Sequence, residues 1–186
     1  MFKQMLFGTV MLGGVVLGNP TSIATPPTDN TYRARLHDSA FEIAAAPKVL
    51  LIVPGVSVGS VKIGSKPKAN PFPELGKPQI SRSPDSPSSY SWKCSDYVCS
   101  VIVKTSGVGA NEVVSTIYIT EKKLFKTQAG IGIGSTIQQV KKAYPSGKQI
   151  DGMDADFCWS ISGANFCVNQ GIVSSIAIFN PLIGET

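Results

Sequence analysis

The chain has 186 residues, of which 42% are hydrophobic and 16% charged, and its net charge is +5 at pH 7. That is material for one globular domain with one core, and it excludes a disordered chain. The lysines are dispersed and no arginine-rich stripe occurs, which argues against nucleic acid as a partner. The positive balance suits anionic surfaces such as lipid head groups or cell-wall polymers. Eighteen Gly and thirteen Pro point away from a helical bundle and toward short strands and turns.

Residues 1–24 carry the features of a secretory signal peptide. Lys3 supplies the basic start, Met5 to Gly18 an uncharged apolar core, and Ser22 and Ala24 the small residues of a cleavage site. The apolar run is shorter than the roughly 20 residues of a membrane span, and Asn19-Pro20 ends it without a basic flank. No cysteine follows it to carry a lipid. Removing this segment removes one charged residue, Lys3, and leaves +4. Residues 25–46 form a tether, Pro/Thr-rich at first. Arg33 to Ala46 reads as a short helix N-capped by Asp38 and stopped before Pro47. Residues 47–186 are then a single domain.

Cys94, Cys99, Cys158 and Cys167 have no nearby His and lack zinc-site spacing, so an exported chain uses them as disulfides. Four cysteines allow three pairings. Hairpin geometry favours Cys94–Cys99 and Cys158–Cys167: loops at Asp96-Tyr97 and Ser162-Gly163 place each pair at facing, non-hydrogen-bonded positions. In the first hairpin the cysteines share a face with Tyr90, Trp92, Val101 and Val103, the expected core face. In the second, Phe157, Trp159, Phe166 and Val168 take the face opposite the cysteines. Either that disulfide lies on the outer surface, or the register shifts by one.

A larger unit occurs twice. The first copy runs VPGVSVGSVKIGS, PELGKP, SYSWKC, YVCSVIVK and EVVSTIYIT. The second runs AGIGIGST, IQQVKKAYP, DFCWSI, NFCVN and GIVSSIAIF. The fold class expected is α+β with two pseudo-repeated units, about 47–121 and 122–183. Each is a short helical segment plus an antiparallel sheet of three or four strands with a disulfide-stapled hairpin. Ser135 and Gln138 read as a capping box for a helix that buries Ile137, Val140 and Tyr144 and ends at Pro145. The matching SKPKANPFPELGKP has too many prolines for a regular helix and reads as an irregular or single helical turn.

GIGIGSTIQQVKKAYP, and more loosely VGSVKIGS followed by ELGKP, resemble the glycine-led helix entry of BamE/OmlA-like envelope lipoproteins and of tandem-repeat beta-lactamase inhibitory proteins. The resemblance covers Val53 to Phe179 in outline. It implies units of a helical segment plus an antiparallel sheet, with one disulfide per unit as in the inhibitory proteins. The chain departs from it in lacking the lipoprotein cysteine and in its proline-broken first helix, so it implies architecture and not a target.

Residue types for chemistry are sparse. His37, the single histidine, lies in the tether, away from any partner a nucleophilic mechanism needs. Asp151, Asp154 and Asp156 lack the spacing of an EF-hand loop and read as a solvated turn, although they are also the natural choice for a hydrolase. GIGIGST lacks the lysine of a phosphate loop and reads as a tight turn into a helix. Lys122, Lys123, Lys126, Lys141, Lys142 and Lys148 read as a solvated face, or as a surface kept near an anionic envelope. No cofactor or metal is implied.

In the first unit Lys93, Ser100, Ile102, Lys104, Thr116 and Tyr118 alternate away from the core face. Exposed aromatics ringed by polar groups are the composition of interface centres. Tyr118, with Ile102 and Lys104, is therefore the candidate contact for a protein partner. The chain reads as a periplasmic or secreted, non-catalytic protein-binding module of the bacterial envelope or exterior, inhibitor-like or envelope-associated. An outer-membrane assembly factor and a hydrolase using the aspartate loop are the alternatives. Intact-mass measurement of exported protein is expected to give a mature N-terminus at or near Thr25; a full-length chain held in membrane contradicts it.

Overall fold

The computed structural model describes residues 48–182 apart from 96 and 97. The leader, the tether with His37, and the Asp96-Tyr97 loop lie outside the described residues.

Strands follow wherever apolar and polar residues alternate. The chain first makes β1 (Leu50–Val53), β2 (Ser57–Val58) and β3 (Val61–Lys62), then a 3-10 turn at Pro73–Leu75. A meander follows: β4 (Gln79–Ser83), β5 (Ser86–Ser95), β6 (Val98–Ser106) and β7 (Val113–Ile119). After β8 (Phe125–Thr127) and the helix α1 (Ile137–Ala143) comes a second meander: β9 (Lys148–Ile150), β10 (Phe157–Ile161), β11 (Ala164–Asn169) and β12 (Ile172–Phe179). The meanders meet through their last strands, giving an eight-stranded sheet of order β4-β5-β6-β7-β12-β11-β10-β9. Every pairing in it is antiparallel. A smaller sheet has order β3-β2-β1-β8, with β1 and β8 parallel.

The two sheets and α1 share one hydrophobic core. Period-two alternation sends Tyr90, Trp92, Val101, Val103, Ile117, Ile119, Phe166, Val168, Ile176 and Ile178 to its large-sheet side, all fully buried. Phe72 joins the layers. Its ring meets Trp92 edge-on at 5.6 Å and Phe125 at 5.8 Å, within the range of favourable edge-to-face pairs. Each tryptophan indole donates to a carbonyl just beyond a helical turn: Trp92 Nε1 to Gly76 O at 3.1 Å, and Trp159 Nε1 to Tyr144 O at 2.9 Å. A Cβ on Gly147 would stand 2.1 Å from that Trp159 nitrogen, so this turn requires glycine.

Two expectations need correction. The architecture is strand-rich, with one α-helix among the described residues. The first unit holds only 3-10 turns there, Pro73–Leu75 and Gly109–Asn111. As its proline density implied, Pro67, Pro71, Pro73 and Pro78 prevent a regular helix because they remove donors and clash with preceding turns. The capping box is one residue later than expected. Thr136 Oγ1 accepts from the Gln139 amide at 3.3 Å, and Gln139 Oε1 accepts from the Thr136 amide at 2.8 Å. Ser135 instead turns back to accept from the Gly132 amide at 3.1 Å.

Both expected disulfides are present, Cys94–Cys99 and Cys158–Cys167, each with Cα atoms 3.9 Å apart. The register of the second hairpin is as expected, with Cys158 opposite Cys167 and Trp159 opposite Phe166. Its disulfide therefore lies on the face of the sheet away from the core. Trp92 and Cys94 are two residues apart and share a face, whereas Cys158 and Trp159 are adjacent and do not. Among the described residues no helix is long and apolar enough to cross a membrane.

The small sheet touches the β10–β11 turn backbone to backbone. The Gly55 amide donates to Gly163 O at 2.9 Å, and a Cβ on Gly163 would lie 2.2 Å from Gly55 Cα. Gly163 also has φ +80°, a conformation that costs other residues energy. Gly163→Ala is expected to destabilise the domain by about 2–4 kcal/mol in urea unfolding, as overpacking and strain together.

Candidate functional site

The second layer covers one face of the eight-stranded sheet and leaves the other available. Across that open face, register places Ile102 opposite Tyr118, Tyr118 opposite Ala177, and Ala177 opposite Asn165. Thr116 stands between Lys104 and Phe179 in the next row. A groove of about 580 Å³ runs over the β7–β12 junction toward β10. Tyr118 and Thr116 form one side of it, and Ala177, Phe179 and the Cys158–Cys167 disulfide lie along it. The loop from Asp151 to Ala155 overhangs the far side, with Met153 fully exposed.

The expected contact residues are brought together. Tyr118 is 39% exposed. Lys104 is exposed, and its Nζ sits 5.2 Å from the centre of the Tyr118 ring, a cation–π distance. Ile102 is half-buried beside them. Ser100 and Thr116 share the face, as alternation requires, whereas Lys93 is exposed at a left-handed φ of +47° that interrupts the alternation of β5. The groove itself was not expected. Asn165, Ala177, Phe179 and Met153 all line it, and the alternation in IVSSIAIF already turned Ala177 and Phe179 outward. What the sequence lacked was the pairing that sets β12 beside β7.

The three aspartates do not act as a set. Asp156 Oδ2 accepts from the Gln170 amide at 2.7 Å, and the Asp156 amide donates to Asn169 Oδ1 at 3.0 Å. That ties the loop to the β11–β12 turn. Asp151 and Asp154 remain exposed at the groove. Among the described residues no group of three or more His, Cys, Asp or Glu is placed to hold a metal ion. In GIGIGST the Gly132 amide goes to Ser135 Oγ and the Gly134 amide to Val173 O, the pattern of a turn leading into a capped helix. The six candidate surface lysines are all exposed, and Lys141 lies over the Trp159 ring at 4.9 Å.

A second polar cluster had no motif to announce it. Glu112 Oε1 accepts from the Ser88 amide at 2.8 Å and lies 2.6 Å from the hydroxyl of buried Thr105. That hydroxyl is also 2.8 Å from Ser88 O, and its single proton serves the carboxylate or the carbonyl. Arg82 Nη2 donates to the hydroxyl of fully buried Tyr90 at 2.6 Å. This hydrogen bond, reinforced by the charges around it, raises the guanidinium pKa further. The only sequence trace of the cluster is parity: Ser88 falls on the same side of its strand as Tyr90 and Trp92.

Compared with known proteins, the chain matches no family model, no curated protein and no solved structure.

Hydrogen bonding from Ser88 first, and then Thr105, holds the Glu112 carboxyl below the usual carboxylate range, with burial opposing. The folded protein therefore binds fewer protons at this site than the unfolded chain. The resulting stability is complete above the ordinary Glu pKa and is lost as pH falls through the lowered one. Urea unfolding at descending pH is expected to show stability falling below about pH 4, with a shallower fall in Glu112→Gln. Equal slopes in the two proteins would assign the acid sensitivity to other carboxylates.

Proposed function

We propose that this chain is an exported, non-catalytic binding protein that holds a protein partner on the open face of its eight-stranded sheet. The observation that carries this reading is the groove at the β7–β12 junction, where an exposed tyrosine, a disulfide and small apolar side chains lie side by side under a loop. An apolar centre with an aromatic anchor and polar surroundings is the anatomy of protein interfaces. Ser89, Ser91 and Ser100 extend the same face with short polar side chains, which lose little entropy on being covered. Two disulfides in a small strand-rich domain fit an oxidising compartment, the periplasm or the exterior, and so support export.

We further infer that the two meanders are copies of one unit. Their mirrored order about β7–β12 supports this, as does the disulfide joining the two middle strands of each. The likeness to the tandem-unit inhibitory proteins and BamE-like lipoproteins belongs to the same proposal and extends to architecture alone.

Tyr118→Ala is expected to weaken capture of the partner from envelope extract by about 1–3 kcal/mol while leaving the thermal midpoint nearly unchanged. Unfolding on substitution would place Tyr118 in the core. Unchanged capture would move the binding site off this face.

A further inference from the structure

The groove has chemical polarity along its length. At the Tyr118 end the ammonium of Lys104 already lies against the ring, 5.2 Å from its centre. At the β9–β10 end Asp151 and Asp154 stand exposed on the lip, and the apolar floor of Ala177, Phe179 and the Cys158–Cys167 disulfide runs between. Asn165 lines the same floor, and its Oδ1 is buried without a hydrogen-bond partner. An unmet acceptor is costly, and a donor arriving with a ligand would relieve it.

Together these features select one kind of side chain. It needs an aliphatic stem to lie on the floor, a cationic head for two carboxylates, and N–H donors for Asn165 once its amide turns outward. Lysine and arginine have that form, with methylenes that pack on apolar surface while the head stays polar. We propose that the partner docks an extended segment across this groove and places a lysine or arginine side chain along its floor, with the head group between Asp151 and Asp154. This rests on the protein-binding reading of the same face and names the partner's chemistry. Lys104 at the opposite end orients the side chain, because placing its head at the Tyr118 end would bring the cation against this ammonium.

The test uses the full exported chain, labelled with ¹⁵N and titrated with three capped tripeptides: Leu-Arg-Leu, Leu-norleucine-Leu and Leu-Glu-Leu. Norleucine keeps the straight aliphatic stem and removes the charge. Shifts are expected at Tyr118, Asn165 and Ala177, with a Kd for the arginine peptide about tenfold below that of the norleucine peptide. The advantage is expected to shrink to about twofold or less in Asp151→Asn/Asp154→Asn and to weaken with added salt.

Equal binding of the arginine and norleucine peptides would overturn the cationic assignment, as would preference for the glutamate peptide. So would shifts confined to other surfaces, or no shift at about 10 mM peptide. Groove shifts that depend on protein concentration without peptide would assign the groove to a second copy of this chain and overturn the proposal. Failure here leaves the protein-binding reading standing if Tyr118→Ala still weakens capture. If that substitution has no effect, both fall together.

Discussion

The pairing of β7 with β12 is the constraint on which the rest of the molecule depends. Four residues of each strand are in register, Ile176 with Ile119 through Phe179 with Thr116. Alternation sends Ile117, Ile119, Ile176 and Ile178 to full burial on one side and Tyr118 and Ala177 to the other. A slip of β7 by one residue would exchange its faces, pushing Ile117 and Ile119 into water and Tyr118 into the core, and a slip of β12 would do the same to Ile176 and Ile178. The core and the groove are thus two consequences of one register.

The second layer explains why the groove stays open. Phe72, wedged between Trp92 and Phe125, binds the small sheet to one side of the large sheet, and α1 closes the same side through Ile137 and Val140. Gly55 and Gly163 meet at the edge of this contact with no room for a side chain. An antiparallel sheet tolerates such one-sided covering because its other face can be built from short polar residues. Here those are Ser89, Ser91, Ser100 and Thr116, interrupted by the apolar stripe of Ile102, Tyr118 and Ala177.

The disulfides divide their roles by face. Both close short hairpin loops, so their gain in chain entropy is smaller than that of a long-range bridge, and their main effect is to hold register. The Cys94–Cys99 bond lies at the loop end of its hairpin on the core side. The Cys158–Cys167 bond lies on the open side, where Cys158 is nearly buried beneath the aspartate loop. That bond therefore lines the groove rather than the core. Asp156, bridging to Asn169 and Gln170, keeps the overhanging loop in place above it.

Local spacing was enough to reveal much of this. The alternation in SYSWKC, SVIVK and STIYIT assigned the buried and open faces of the first meander. Turn lengths favoured both cysteine pairs, and the Trp–Cys spacings, two in one strand and one in the other, left the second disulfide either on the outer surface or in a shifted register. The pairing of Cys158 with Cys167 puts it on the open face. These are properties of a few neighbouring residues, and strand geometry acts at that range. Proline density likewise showed that the first unit would lack a helix. Three features required the tertiary structure: the parallel contact of β1 with β8, the Ser88–Thr105–Glu112 cluster, and the β7–β12 junction that gathers Tyr118, Asn165, Phe179 and the Asp151–Asp154 lip into one groove. Each joins strands or loops far apart in the chain, and nothing in a strand's own alternation names the strand it will lie beside. That choice is made when apolar surface from the whole chain is buried at once, because only the complete core distinguishes one strand order from another.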